Sequence, residues 1–254
     1  MVVEEEKLPI EKLKVNAQKA VQAESVSTPI QHYRAILFQV SLLIAAAAFA
    51  ILTFLVKTTP FFAIDLQITK AIQLINFQPF GILMNVVSWP GLSPQSVITS
   101  AVIILVIYIF GFHWEAMMAL IAAVITPVIN VLVKDLVQRA RPPSSLVNVI
   151  ATLNSYSFPS GHVMFYLGFF GFIVFLAFSL LKLSLMRTFL FIFFGSLIVL
   201  IGISRIYLGE HWASDVVGAY LLGSLMLAAY IQFYRWGKTR FFVHQPVAAA
   251  ERKK

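Results

Sequence analysis

Most of the ionisable residues in the apolar body of this chain fall in three short stretches. They are Lys134-x6-Arg141-Pro142, Pro159-Ser160-Gly161-His162 and Ser204-Arg205-x5-His211-x3-Asp215. A charge inside so apolar a chain is expensive, and it tends to be functional where it occurs. Together the stretches supply a lysine, two arginines, two histidines and an aspartate. Those are the parts needed to grip a phosphate and attack it.

His211 and Asp215 are four residues apart. If they open a helix, both side chains lie on one face. A carboxylate on one imidazole nitrogen fixes the tautomer and leaves the other nitrogen free as a nucleophile toward phosphorus. A helix-capping Asp–His pair is the plainer alternative for these two residues alone. Arg205 and the other stretches beside them favour the chemical reading.

Ser160 fits a helix N-cap, which would leave the amides of Gly161 and His162 pointing at an anion. Glycine lets the backbone come close. His162 could protonate a departing alkoxide or phosphate. Lys134, Arg141 and Arg205 would neutralise the transferring phosphoryl group, the arginines as forks and the lysine as a point charge. Arg139 is out of phase with Arg141 and reads as a cation snorkelling from a helix end. Asp135, Glu210 and His113 are read as bystanders. Carboxylates near the stretches are scattered and matched by cations, so no metal cage is expected and no cofactor is implied.

Elements long enough to hold these residues come from the composition. The chain has 254 residues, 59% hydrophobic and 12% charged, against about 25% charged in soluble domains. An integral membrane protein follows, and about 20 apolar residues make one helical crossing. Six segments qualify or nearly so: Ile36–Val56, Gln95–Phe112, Ala116–Val133, Val163–Leu181, Thr188–Ser204 and Val216–Tyr234. Placing both tails on one side puts 13 of the 19 Lys and Arg residues there, including Lys182 and Arg187. That side is expected to be cytoplasmic. Lys57, Lys70, Lys134, Arg139, Arg141 and Arg205 fall on the other. The first 34 residues are polar, so the first span reads as an uncleaved anchor. With no cysteine, disulfides and thiolate metal sites are excluded.

The longest connection, 57–94, repeats Ile64, Ile68, Ile72 and Ile75 at helical spacing, with Asp65, Gln67, Lys70 and Gln73 between them. This predicts an amphipathic helix, either lying on the bilayer or covering the bundle. The turn Trp89-Pro90-Gly91 leads into the second span, with Trp89 at headgroup level. Residues 1–34 form a tail, partly helical between Leu8 and Val21. Residues 235–254 form a basic tail suited to anionic lipid rather than nucleic acid. Gly168, Gly171, Gly195, Ser196, Gly218 and Gly223 read as close-packing positions in the last three spans.

The expected fold is therefore all-α, an integral membrane bundle of six transmembrane helices with an interfacial amphipathic helix between the first two. This topology brings all three stretches to the face opposite the tails. A miscount by one span would have split them across the membrane.

Lys-x6-Arg-Pro, Pro-Ser-Gly-His and Ser-Arg-x5-His-x3-Asp, in this order, resemble the signature of the type 2 phosphatidic acid phosphatase family, related to vanadium haloperoxidases. The motifs cover roughly 134–215, and the six-span layout extends the resemblance over about 36–234. The resemblance implies a phosphatase domain over 35–234. It also implies a phosphohistidine on His211 oriented by Asp215, with His162 as general acid. Lys134, Arg141, Ser160, Gly161 and Arg205 would hold the phosphate. Metal-independent hydrolysis of a lipid phosphate or pyrophosphate is implied, from the phosphatidic acid, phosphatidylglycerol phosphate or polyprenyl pyrophosphate classes. The expected partners are that substrate and the membrane lipids; the oligomeric state stays open. A bacterial inner membrane with an outward-facing site is the expected setting. The alternatives are a phosphatase of soluble esters and a non-catalytic lipid-binding or transport protein on the same fold.

Overall fold

The computed structural model describes residues 29–242. The helix expected between Leu8 and Val21, and the basic cluster Arg252, Lys253 and Lys254, lie outside them. Two compact units divide the chain, Met1–Ile44 and Ala45–Lys254. In the first, the described residues are the opening turns of helix α1 (Pro29–Thr58), uncharged after Arg34.

Eight helices and no strand occur among the described residues. After α1 come α2 (Ala63–Gln73), α3 (Gln78–Ser88), α4 (Gln95–Ile109), α5 (His113–Val137), α6 (Gly161–Leu180), α7 (Leu185–Tyr207) and α8 (Ala213–Gly237). Helices α1, α5, α6, α7 and α8 are long and apolar enough to cross a membrane. Helix α4, the second expected span, is apolar but only 15 residues long. Six apolar helices thus form the expected membrane bundle, with the polar-striped α2 between the first two.

Helix α6 occupies the centre. Two-thirds of its apolar window (67%) is inside the protein, against 33% for α5, α7 and α8. A helix apolar on every side can be wrapped on every side. Phe165, Tyr166, Phe169, Phe170 and Phe172 fill that core, and a π-helical turn over Tyr166–Phe170 loosens the helix there. Close approach follows the small residues: a Cβ on Gly168 would press on Thr126 of α5, and one on Gly218 would run into the Phe158 ring. Gly195 differs, facing open space.

The connection before α4 departs from expectation in two ways. It holds two helices, α2 and α3, bent by 119° at their junction. And the isoleucine stripe that runs along α2 and just past it does not face the protein evenly. Ile68 and Ile72 pack on the core, but Ile64 is 57% exposed and Ile75 44%, whereas Asp65 and Thr69 are fully buried. In a membrane setting apolar side chains can face lipid, so the polar side becomes the inward one. Gln73 fastens the far end of α2, donating to the Asn148 and Tyr207 carbonyls at 2.6 and 2.9 Å and accepting from the Asn148 amide at 3.0 Å. Helix α3 docks through Ser204 Oγ, which donates to the Met84 carbonyl (2.6 Å), and Tyr166 Oη, which donates to that of Val87 (2.6 Å).

Two left-handed residues end the helices that carry the site. Gln138 (φ 56°) stops α5 just after Lys134. Gly209 (φ 68°) reverses the chain after α7. The amides of Glu210 and His211 then both donate to the Arg205 carbonyl, at 3.2 and 3.3 Å. A Cβ on Gly209 would strike the Asn148 carbonyl, so the turn demands glycine on both counts.

Candidate active site

The three sequence stretches converge. Lys134 comes from the last turn of α5, Arg141 from the loop beyond it, Gly161 and His162 from the start of α6, and His211 from the turn between α7 and α8. All five line one cavity of about 500 Å³. Ser160, Arg205 and Asp215 do not line it; each is fully buried behind its wall.

Arg141 is fixed from several sides. Its Nε donates to the Ser155 carbonyl at 2.7 Å, Nη1 to the Glu210 carbonyl at 2.6 Å and Nη2 to Ser155 Oγ at 2.9 Å. The same Nη1 lies 3.3 Å from His211 Nε2. Guanidinium can only donate, so Nε2 is the acceptor and neutral His211 carries its proton on Nδ1. Lys134 Nζ donates to the Tyr156 carbonyl. Burial pushes the His211 imidazole well below its ordinary pKa, and Arg141, Lys134 and Arg205 add to the effect. Burial also lowers Arg141, partly countered by Asp215.

On the other side of the ring, Asp215 Oδ2 stands 3.6 Å from His211 Nδ1, too far for a direct hydrogen bond. Ser157 stands between them. Its Oγ donates to Asp215 Oδ2 at 2.5 Å and lies 3.4 Å from His211 Nδ1. Asp215 also caps α8, accepting from the Trp212 amide at 2.9 Å. The capping and imidazole-facing roles that the sequence set against each other are both occupied by this one carboxylate.

Arg139 is not a snorkelling cation. It is buried, and its Nη1 donates to Asp215 Oδ1 at 2.6 Å and to Ser214 Oγ at 2.7 Å. Its Nη2 donates to Asp65 Oδ2 at 2.9 Å, and its Nε to the Pro60 carbonyl at 3.1 Å. Sequence reasoning missed Arg139, Asp65 and Ser157. The first two carried a signal in being charges within an apolar chain; the serine carried none.

Ser160 holds the cap position of α6, but its Oγ makes no capping bond. Ser160 Oγ, His162 Nε2 and Arg205 Nε are buried without a protein partner among the described residues. Arg205 Nη1 donates to Ser88 Oγ at 2.5 Å, and Nη2 pairs with the Glu210 carboxylate. Glu210, set aside on sequence, is thus the counter-ion of a signature arginine. The Trp89–Gly91 turn packs on the His162 ring and lacks room for a side chain at Gly91. His113 starts α5, at the end opposite Lys134.

A histidine flanked by cations in an apolar helical bundle is an arrangement suited to phosphoryl transfer at a membrane. Residues 112–238 match the PAP2 superfamily. The chain belongs to that superfamily and is a hydrolase, a lipid phosphatase. It is 31% identical over 180 residues to phosphatidylglycerophosphatase B of Bacillus subtilis (strain 168), covering 70% of this chain and 87% of that one. Among solved structures it is similar to a transmembrane PAP2-type phosphatidylglycerolphosphate phosphatase from Bacillus subtilis. The TM-score is 0.69 at 28% identity, over 79% of this chain and 98% of that one. Aquifex aeolicus LpxE shares the fold at a TM-score of 0.51 and 22% identity, over 67% of this chain and 96% of that one.

Proposed function

We propose that the protein removes the terminal phosphate from a lipid phosphate or lipid pyrophosphate, with phosphatidylglycerol phosphate the first candidate and phosphatidic acid and polyprenyl pyrophosphates the related ones. The observation that carries this reading is the cavity's mixed wall. Lys134, Arg141, His162 and His211 line it together with Val97 of α4, Ala123 and Val131 of α5 and Phe165 of α6. A phosphate with an apolar tail matches both parts; a sugar phosphate matches only one. The substrate named in the Bacillus subtilis relatives agrees with this choice.

In the proposed reaction His211 Nε2 attacks phosphorus as the bond to the lipid oxygen breaks. His162 gives its proton to the leaving alkoxide. A water then attacks the phosphohistidine, His162 takes a proton from it, and the P–N bond breaks to release inorganic phosphate. Lys134, Arg141 and the Gly161 amide meet the phosphoryl oxygens at the cavity wall, and Arg205 and Ser160 act from behind it, together offsetting the charge on those oxygens. Asp215, helped by Ser157, keeps the His211 proton on Nδ1. The nearby carboxylates are engaged by cations, Asp65 and Asp215 by Arg139 and Glu210 by Arg205, and the mechanism asks for no metal. The distribution of Lys and Arg supports cytoplasmic tails and a site on the outer face of a bacterial inner membrane.

Phosphate release from purified protein, across a panel of lipid phosphates and water-soluble esters, tests this reading. Phosphatidylglycerol phosphate is expected to be hydrolysed fastest, and His211→Ala to lose activity by about 10⁴-fold or more. EDTA should leave the rate unchanged. Faster turnover of soluble esters would overturn the substrate assignment, retained turnover in His211→Ala the nucleophile, and strict magnesium dependence the metal-free step.

A further inference from the structure

Asp65 and Asp215 share more than a guanidinium. Each is the third residue of its helix and accepts from its own N-cap amide, Asp65 from Phe62 at 3.3 Å and Asp215 from Trp212 at 2.9 Å. Arg139 bridges the two carboxylates at 2.9 and 2.6 Å, with all three side chains at most 1% exposed. Ser214 closes the arrangement. Its amide donates to Asp65 Oδ1 at 2.8 Å and its hydroxyl to Asp65 Oδ2 at 2.7 Å, while Arg139 donates to that same hydroxyl. The first turn of α8 is therefore gripped by a carboxylate from α2, one residue before Asp215.

Nothing in the signature stretches requires Asp65, which lies outside residues 112–238, the part that matches the superfamily. Its burial is costly unless it is paired and hydrogen-bonded. Here each carboxylate oxygen has at least one donor. Without Asp65, Arg139 would keep one carboxylate instead of two, and the α8 amide at Ser214 would lose its acceptor. Both changes bear on where Asp215 sits relative to the His211 ring.

We infer that Asp65 on α2 is a positioning residue for the phosphatase reaction, acting through Arg139 and Ser214 to hold Asp215 against His211. The inference rests on the proposed role of His211. It makes α2 a working part of the site rather than a surface strap. Asp65 touches neither the cavity nor the ring, so its effect must appear in the rate of the chemical step and not in substrate capture.

Full-length protein in detergent micelles, assayed with phosphatidic acid, provides the test. Asp65→Asn is expected to lower kcat by about ten- to a hundredfold, by analogy with outer partners that orient a metal-bound histidine, while KM stays within about threefold. In an Asp215→Asn background the same change should cost less than about threefold, because the residue it acts through is already disabled. Arg139→Gln leaves two buried carboxylates without their cation, so Asp65→Asn added to it should restore part of the lost rate. An unchanged kcat in Asp65→Asn, a loss confined to KM, or losses that multiply with Asp215→Asn would each overturn the inference. If Asp65→Asn cannot be purified, Ser214→Ala replaces it and must show the same split. His211→Ala, run alongside, separates the two claims. An inactive His211→Ala with a fully active Asp65→Asn sinks only the positioning role, and an active His211→Ala sinks the reading beneath it.

Discussion

Arg141 Nη1 lies 3.3 Å from His211 Nε2 and donates to the carbonyl of the neighbouring Glu210 at 2.6 Å. The cation that would receive a phosphate is thus locked to the backbone of the residue beside the nucleophile. Its charge adds to burial, the larger cause, in holding the imidazole pKa down.

A pH dependence follows. His211 must be neutral to attack, and burial together with Arg141, Lys134 and Arg205 holds its pKa well below the ordinary value of 6.5. The acid limb of kcat/KM against pH should therefore fall below pH 6.5. Arg141→Ala should move that limb to higher pH while lowering kcat/KM by roughly 10²–10³-fold. For stability the sign is the same: the unfolded chain binds the proton first, so this contribution is lost as pH falls below about 6.5. A limb that stays put in Arg141→Ala would contradict the coupling.

Ser157 joins Asp215 to the Nδ1 side of the ring. Ser157→Ala should reduce kcat about tenfold with little change in KM, as for other outer partners of a working histidine. Steady-state kinetics on one lipid phosphate suffice. An equal loss in KM alone would place Ser157 in substrate binding instead.

Glu210 neutralises Arg205 behind the cavity wall, so Arg205 offers a bound phosphate less positive field than it otherwise would. Glu210→Gln removes that counter-charge. Inorganic phosphate and vanadate should then inhibit about tenfold more tightly, a change of roughly 1.4 kcal/mol. Inhibition constants measured against the parent protein check this; weaker inhibition would mean that Glu210 positions Arg205 rather than occupies it.

Gly209→Ala places a side chain at φ 68° against the Asn148 carbonyl. Strain of this kind costs about 1–3 kcal/mol, and the turn it distorts sets His211 against Arg205. A lower midpoint of thermal unfolding and a lower rate are both expected. An unchanged midpoint would show that the turn yields freely.

The bundle was legible because the bilayer imposes its length on any sequence that crosses it. Gathering of Lys134, Arg141, His162 and His211 was legible because charges in apolar chains are few. What escaped was polar and buried by tertiary contact. Asp65 sits among isoleucines whose spacing marks a buried stripe in a water-soluble helix, and lipid inverts that rule. Helical phase misleads for Arg139, because α5 ends at Val137 and the left-handed Gln138 breaks the phase beyond it. Helix α3 escaped because eleven residues opening on Gln78-Pro79 read equally well as loop. Ser157 has no sequence mark at all.

Helix α4 rises about 22 Å at 1.5 Å per residue, short of the roughly 30 Å hydrocarbon layer. Its first turns carry Ser96, Val97 and Ser100 on the cavity wall. A crossing this short is matched by thinning of the surrounding lipid, by flanking side chains that reach the interface or by association with neighbours. Where the lipid thins, a headgroup drifting past this helix would be drawn inward before it met any side chain, and membrane depth would become part of substrate delivery.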